Sequence, residues 1–169
     1  MRRHVLAALP VVAALIGPTP AAEVPDANLR EAVLDLTLTV EPLQTETGDG
    51  PLTKITISSD VLFAFDRAAL TPVAARHLAG IAERLRTATG TVRVDGYTDA
   101  KGTNAYNAAL SRRRAESVKQ ELDRILGGTP AIVASGHGEA DPVAPNTKGG
   151  KDDPAGRAKN RRVVIRFES

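Results

Sequence analysis

The sequence contains no cysteine and no tryptophan, and only three Phe and two Tyr among its 169 residues. Without cysteine there can be no disulfide scaffold, thiolate metal site, cysteine nucleophile or lipid-modified cysteine. Aromatic content of 3% leaves the core to aliphatic side chains. Charge is nearly balanced, with a formal net charge of +2. The 42% of hydrophobic residues recur in patterned runs, which argues against disorder throughout. The length allows one domain of ordinary size plus extras, not two large ones.

The small basic excess comes from the first residues. Met1-Arg-Arg-His4 is followed by an apolar run from Val5 to Ile16 and then by Gly17-Pro-Thr-Pro-Ala-Ala22. The order of basic, apolar and small residues is that of a secretory signal peptide, with Ala21 and Ala22 as the expected last residues removed. The apolar run is about half of the ~20 residues a membrane span requires, and Pro10 interrupts it. Residues 1–22 are therefore expected to be cleaved, leaving no integral membrane span and a soluble, exported chain. Loss of Arg2 and Arg3 leaves basic and acidic side chains equal in number. Neutrality argues against a general nucleic-acid binder, whose affinity comes mostly from neutralising phosphates.

Residues 23–54 read as a lead-in strand and linker. Ala32-Val-Leu-Asp-Leu-Thr-Leu-Thr-Val40 alternates in part, and Glu41–Pro51 carries turn formers and acids. Patterning sharpens in residues 55–169. Lys54-Ile-Thr-Ile-Ser58 alternates with period two, and Val61-Leu-Phe-Ala-Phe65 continues as an extended apolar run. Thr71-Pro72 is an N-cap followed by proline at the first helical position, and apolar spacing predicts a helix over 72–87. A strand is expected at Thr91–Asp95. A second helix follows, capped by Thr103 or Asn104, with Ala115, Val118, Leu122 and Ile125 as its core stripe and Gly127-Gly128 as its stop. Ala131–Ala134 and Arg162–Phe167 read as strands, and Gly136–Gly156 as a long loop. The order strand, helix, strand, helix, strand, strand implies an α+β two-layer sandwich, a mixed βαβαββ-type sheet with both helices on one face.

Chemistry concentrates in Gly96-Tyr-Thr-Asp99 and the following helix. Asp99 lies just beyond a strand end, where loops carry function on such scaffolds. Asn107, Leu110 and Arg114 are spaced to share one helix face, and Arg114 lies one turn before the core residue Val118. Arg112 is turned from Arg114 by about 200°, toward solvent. An acid and an arginine presented together suit a zwitterion, the carboxylate taking an ammonium and the guanidinium gripping a carboxylate. Spacing alone leaves a second reading open, in which Asp99 caps a turn and pairs with Arg114 structurally.

The same residues carry a resemblance. Gly96-Tyr-Thr-Asp99, Gly102 and Asn107-x-x-Leu-Ser-x-x-Arg-Ala-x-x-Val118 resemble the OmpA-like C-terminal domain, as do Phe63-Ala-Phe-Asp66 with Leu70 and Thr71 upstream. Gly136-His-Gly-Glu139, Pro142-Val-Ala144, Asn146 and Gly156-Arg-x-x-Asn160-Arg-Arg-Val163 complete the pattern over residues 55 to 167. The resemblance implies non-covalent binding of peptidoglycan through diaminopimelate of the stem peptide, with no catalysis and no cofactor. It implies that Asp99 holds the ammonium and Arg114 the carboxylate. It further implies backbone contacts at Arg67 and Ala68, polar contacts from Asn107 and Arg161, and a pocket lining that includes Thr98. Tyr97 stands where most members carry histidine, altering the pocket edge. None of the family's membrane anchors is evident, so a free module in the periplasm or outer wall is expected, with residues 23–54 available to an envelope protein.

Three rivals are weaker. Catalysis would rest on His77, His137 or Asp152-Asp153, yet Ser135 has no nucleophile elbow around it and a zinc site lacks spaced ligands. A nucleic-acid module would rest on Arg112-Arg-Arg114 and Arg157–Arg162, which have no aromatic platform among them. The third rival is a protein–protein module of the envelope that keeps the fold without the ligand; retention of Asp99 and Arg114 argues against it.

Overall fold

A computed structural model of the chain describes residues 44–169; the signal peptide expected at 1–22 and the strand expected within 32–40 lie outside the described residues. The elements are β1 (Gln44–Asp49), β2 (Leu52–Ser58), α1 (Ser59–Leu62), α2 (Pro72–Leu85), β3 (Thr89–Gly96), α3 (Asn104–Leu126), β4 (Ile132–Gly136), β5 (Thr147–Lys148), β6 (Lys151–Asp152), α4 (Pro154–Asn160) and β7 (Arg162–Glu168). Five strands form one sheet in the order β1-β2-β7-β3-β4, while β5 and β6 make a separate small hairpin. All neighbours in the large sheet are antiparallel except β3 and β4, which are parallel and joined through α3, as parallel neighbours require a crossover.

Period-two alternation turns Ile55 and Ile57 of β2, Val92 and Val94 of β3, and Val163, Ile165 and Phe167 of β7 into one buried cluster. Ala74, Leu78, Ile81 and Leu85 of α2 and Ala115, Val118 and Leu122 of α3 close over it. The fold is the α+β arrangement of a mixed sheet with helices packed against it. Each fully buried Leu, Ile or Val contributes about 1.5–3 kcal/mol relative to exposure, so an aliphatic core suffices without tryptophan. Helix ends follow side-chain chemistry. Thr71 accepts from the Ala74 amide ahead of Pro72, Thr103 accepts from the Tyr106 amide, and Gly127 ends α3 in the left-handed conformation at φ 70°.

The structure differs from the sequence expectations at four places. Part of the stretch expected as linker forms β1, an edge strand hydrogen-bonded to β2; backbone pairing needs no apolar pattern there, and Glu46 turns to the Arg84 guanidinium of α2. The apolar run at Val61–Phe65 is not extended. Ser58 accepts from the Asp60 amide and starts the single turn α1, which buries Leu62, and Phe63 then bridges to Leu70. Helix α2 stops at Leu85, and Gly90, at φ 73°, belongs to β3. Within the supposed loop, Asp153 accepts from the Ala155 and Gly156 amides and, with Pro154, starts α4.

Candidate functional site

The site lies where β3 ends and α3 begins, and glycines set how closely the two approach. A Cβ on Gly96 would stand 2.3 Å from the Ser111 carbonyl oxygen, and one on Gly136 2.2 Å from the Arg112 amide nitrogen. Only a bare backbone fits under α3 at these points. The Ser111 hydroxyl accepts from the Gly138 amide at 2.8 Å, and the Gly138 carbonyl accepts from the Thr98 amide at 2.7 Å. The first turns of α3 are thereby pinned to the loop carrying Thr98 and Asp99. Asn107, Leu110 and Arg114 lie on the buried face of α3, while Arg112 is exposed, as their spacing requires.

Asp99 is only 8% exposed. Its Oδ1 accepts from the Lys101 amide at 3.0 Å, closing a local turn. Its Oδ2 accepts from Arg161 Nη1 at 2.9 Å and lies 3.6 Å from Arg157 Nε. Asn107 Nδ2 donates to the Asp99 carbonyl at 3.2 Å and to Glu139 Oε2 at 2.7 Å, tying the loop to α3 and to the segment after β4. Thr98 is buried, and its hydroxyl has no hydrogen-bond partner.

Arg114 is 5% exposed. Its Nε donates to the Arg67 carbonyl at 2.9 Å, and its guanidinium lies 5.2 Å from the centre of the Phe63 ring. The turn from Phe63 to Thr71 presents that carbonyl: Asp66 adopts φ 57° and accepts from the Tyr106 hydroxyl, and the Arg67 amide donates to the Ala64 carbonyl. Ala68 is the next residue of this turn and is half-buried, whereas the Arg67 side chain is exposed. Burial lowers the Arg114 pKa, opposed chiefly by the nearby carboxylates of Asp60 and Asp66, and an arginine so placed keeps its charge at neutral pH. The terminal nitrogens of Arg114 have no acceptor among the described residues.

Asp99 and Arg114 therefore form no ion pair with each other. The turn-capping half of the structural alternative is present; the pairing half is not. Arg161 was expected to contribute polar contacts to the pocket, and all three of its nitrogens are engaged within the protein: Nε and Nη2 on Asp60 at 3.0 and 2.6 Å, and Nη1 on Asp99. The carboxylates, Asp60 above all, raise its pKa against the effect of burial. Asp60, Arg157, Glu139 and Phe63 belong to the site although sequence reasoning assigned none of them a role. Three lay within the motifs that carry the resemblance, and Asp60 had no signal at all.

Tyr97 is buried. Its ring stacks on His137 at 4.9 Å, and the Arg162 guanidinium lies over it at 3.8 Å. His137 also contacts Asp95 at 2.9 Å, and Asp95 pairs with Arg166. Asp152 pairs with Arg157 and lies 3.6 Å from Lys101 Nζ.

A mixed sheet backed by two helices, with Asp99 and Arg114 not paired to each other at one end, is an α+β domain. The chain belongs to the OmpA family, whose model matches residues 62–161. It is 38% identical over 116 residues to outer membrane porin F of Pseudomonas fluorescens, covering 68% of this chain and 34% of that protein. It is 46% identical over 97 residues to outer membrane protein A of Escherichia fergusonii, covering 54% and 39%. The chain thus spans between a third and two fifths of the length of these relatives. Among solved structures it resembles the cell wall anchor of the T6SS from Pseudomonas aeruginosa, at 30% identity and TM-score 0.67 over 83% of this chain and 95% of that one. It also resembles the peptidoglycan-associated lipoprotein from Burkholderia pseudomallei, at 31% identity and TM-score 0.53 over 64% and 88%.

Proposed function

We propose that the domain binds peptidoglycan non-covalently, gripping the amino-acid end of a stem-peptide diaminopimelate between Asp99 and Arg114. The observation that carries this reading is a nearly buried arginine whose terminal guanidinium nitrogens have no acceptor among the described residues. The carboxylates of Asp60 and Asp66 offset part of the cost of burying this charge, and a ligand carboxylate forked onto its terminal nitrogens offsets more. Such a carboxylate belongs to an amino acid whose ammonium needs an acceptor, and Asp99 is the carboxylate held at the adjoining loop. The Thr98 hydroxyl, buried and unpartnered beside Asp99, supplies a further hydrogen bond. Asn107 fixes the loop, and the Arg67–Ala68 backbone borders the guanidinium. The names of the two structural neighbours, a cell wall anchor and a peptidoglycan-associated lipoprotein, support the ligand class.

The same reading places the protein in the envelope, exported by residues 1–22, with residues 23–41 available to a second protein while the unit from Pro42 to Ser169 holds the wall. The test is co-sedimentation of the domain with purified insoluble peptidoglycan, wild type beside Asp99→Asn and Arg114→Ala. Wild type is expected in the pellet and both variants in the supernatant. If folded wild type stays soluble, the ligand reading fails and a protein–protein module takes its place. Free diaminopimelate should release the bound protein; a stem peptide carrying lysine in its place, whose side chain ends in an ammonium with no carboxylate beside it, should not.

A further inference from the structure

One carboxylate of the site is outside the family's motif and has no assigned role. Asp60, on the single turn α1, takes Arg161 Nε and Nη2 on its two oxygens, the parallel fork that fixes the plane of a guanidinium. The remaining nitrogen, Nη1, then points at Asp99 Oδ2. Two further contacts hold the geometry: the Ser59 amide donates to the Arg161 carbonyl at 2.9 Å, and the Asp60 amide donates to Ser58 Oγ. Asp60 is also the carboxylate that most strongly opposes the effect of burial on Arg114, so its charge acts on both arginines of the site. Its side chain is half exposed, whereas that of Asp99 is nearly buried.

Resting on the diaminopimelate reading, we propose that Asp60 is a positioning residue of the ligand site, acting through Arg161. By occupying two edges of the Arg161 guanidinium it limits that group to a single hydrogen bond with Asp99. Asp99 Oδ2 then keeps a lone pair for the ligand ammonium. Freed from Asp60, Arg161 can turn its fork onto Asp99 and compete with the ammonium for the same oxygens. Asp60 thus keeps Asp99 oriented and available without touching the ligand.

The test uses the full chain and a soluble stem tripeptide ending in diaminopimelate, with affinity read by calorimetry. Asp60→Asn is expected to weaken binding at least tenfold at an unchanged melting temperature. Asp60→Glu, which restores the charge and the fork, is expected to bind within threefold of wild type. In an Arg161→Ala background, Asp60→Asn is expected to have no further effect. The Arg161 Nε–H resonance, resolved in wild type, should broaden or shift toward solvent values in Asp60→Asn. Equal losses in both backgrounds would show that Asp60 acts without Arg161 and would overturn the proposal, as would unaltered binding by Asp60→Asn. A Glu variant as weak as Asn, with both folded, also overturns it. Failure of wild type to bind the peptide instead sinks the diaminopimelate reading itself.

Discussion

Arg114 illustrates how a charged residue can be held at a cost to the fold, offset in part by the carboxylates of Asp60 and Asp66. It makes one hydrogen bond through Nε and rests over Phe63, yet its charge is nearly removed from water. Replacement by a methionine of similar reach keeps the packing and removes the desolvation cost. Arg114→Met is therefore expected to leave stability unchanged or raise it by about 1 kcal/mol, while peptidoglycan binding is lost; urea unfolding and co-sedimentation measure the two effects separately. A drop of several kcal/mol would instead make the arginine a structural part of the core. Asp99 behaves differently. Its carboxylate accepts from Arg161 and Lys101, so Asp99→Asn is expected to cost about 1–3 kcal/mol as well as binding.

At the scale of elements, the site depends on how closely α3 lies against the ends of β3 and β4. Gly96 and Gly136 leave no room for a side chain under Ser111 and Arg112. Gly96→Ala must push the helix outward, and overpacking of this kind costs about 1–3 kcal/mol or more. Because Asn107 and Arg114 ride on the same helix, the variant is expected to lose affinity for peptidoglycan along with stability, a coupling that Ala substitution at an exposed helix position should not show. Thermal unfolding and pelleting of the same samples check both. The edge strand β1 is held to α2 by the Glu46–Arg84 pair, which lowers the Glu46 pKa. A depressed carboxylate contributes stability above its ordinary pKa and loses it as pH falls, so β1 amides should lose hydrogen-exchange protection first on acidification.

For the whole molecule, the compact unit begins at Pro42, and its core draws on β2, β3, β4 and β7 with α1, α2 and α3. A fragment of residues 42–169 is expected to unfold in one cooperative transition and to pellet with peptidoglycan as the full chain does. Non-cooperative melting of this fragment would show that residues 1–41 belong to the folding unit. On the proposed reading the ligand contact is a pair of charges on nearly buried side chains rather than a charged surface. Binding should therefore weaken only modestly between low and physiological salt, unlike the steep loss expected of a phosphate binder.

Local sequence determined much of this. The alternation of Ile55 and Ile57, the Thr71-Pro72 and Thr103 caps, the Gly127 stop and the shared face of Asn107 and Arg114 follow from short-range periodicity and side-chain chemistry. These signals operate within one turn or one pleat, so they are legible without a fold. Only the tertiary structure decided that the polar stretch Gln44–Asp49 becomes an edge strand, because its partner is a backbone and not a hydrophobic face. The same holds for the company Asp99 keeps. Arg157 and Arg161 meet it, and Asp60 meets Arg161, across long separations in the chain, and no spacing rule reaches that far. Whether two charges pair with each other or wait for a ligand depends on which other charges the fold brings between them. Here Arg161 stands against Asp99 and leaves Arg114 open, a choice made by the docking of α1 and α4 against the end of the sheet.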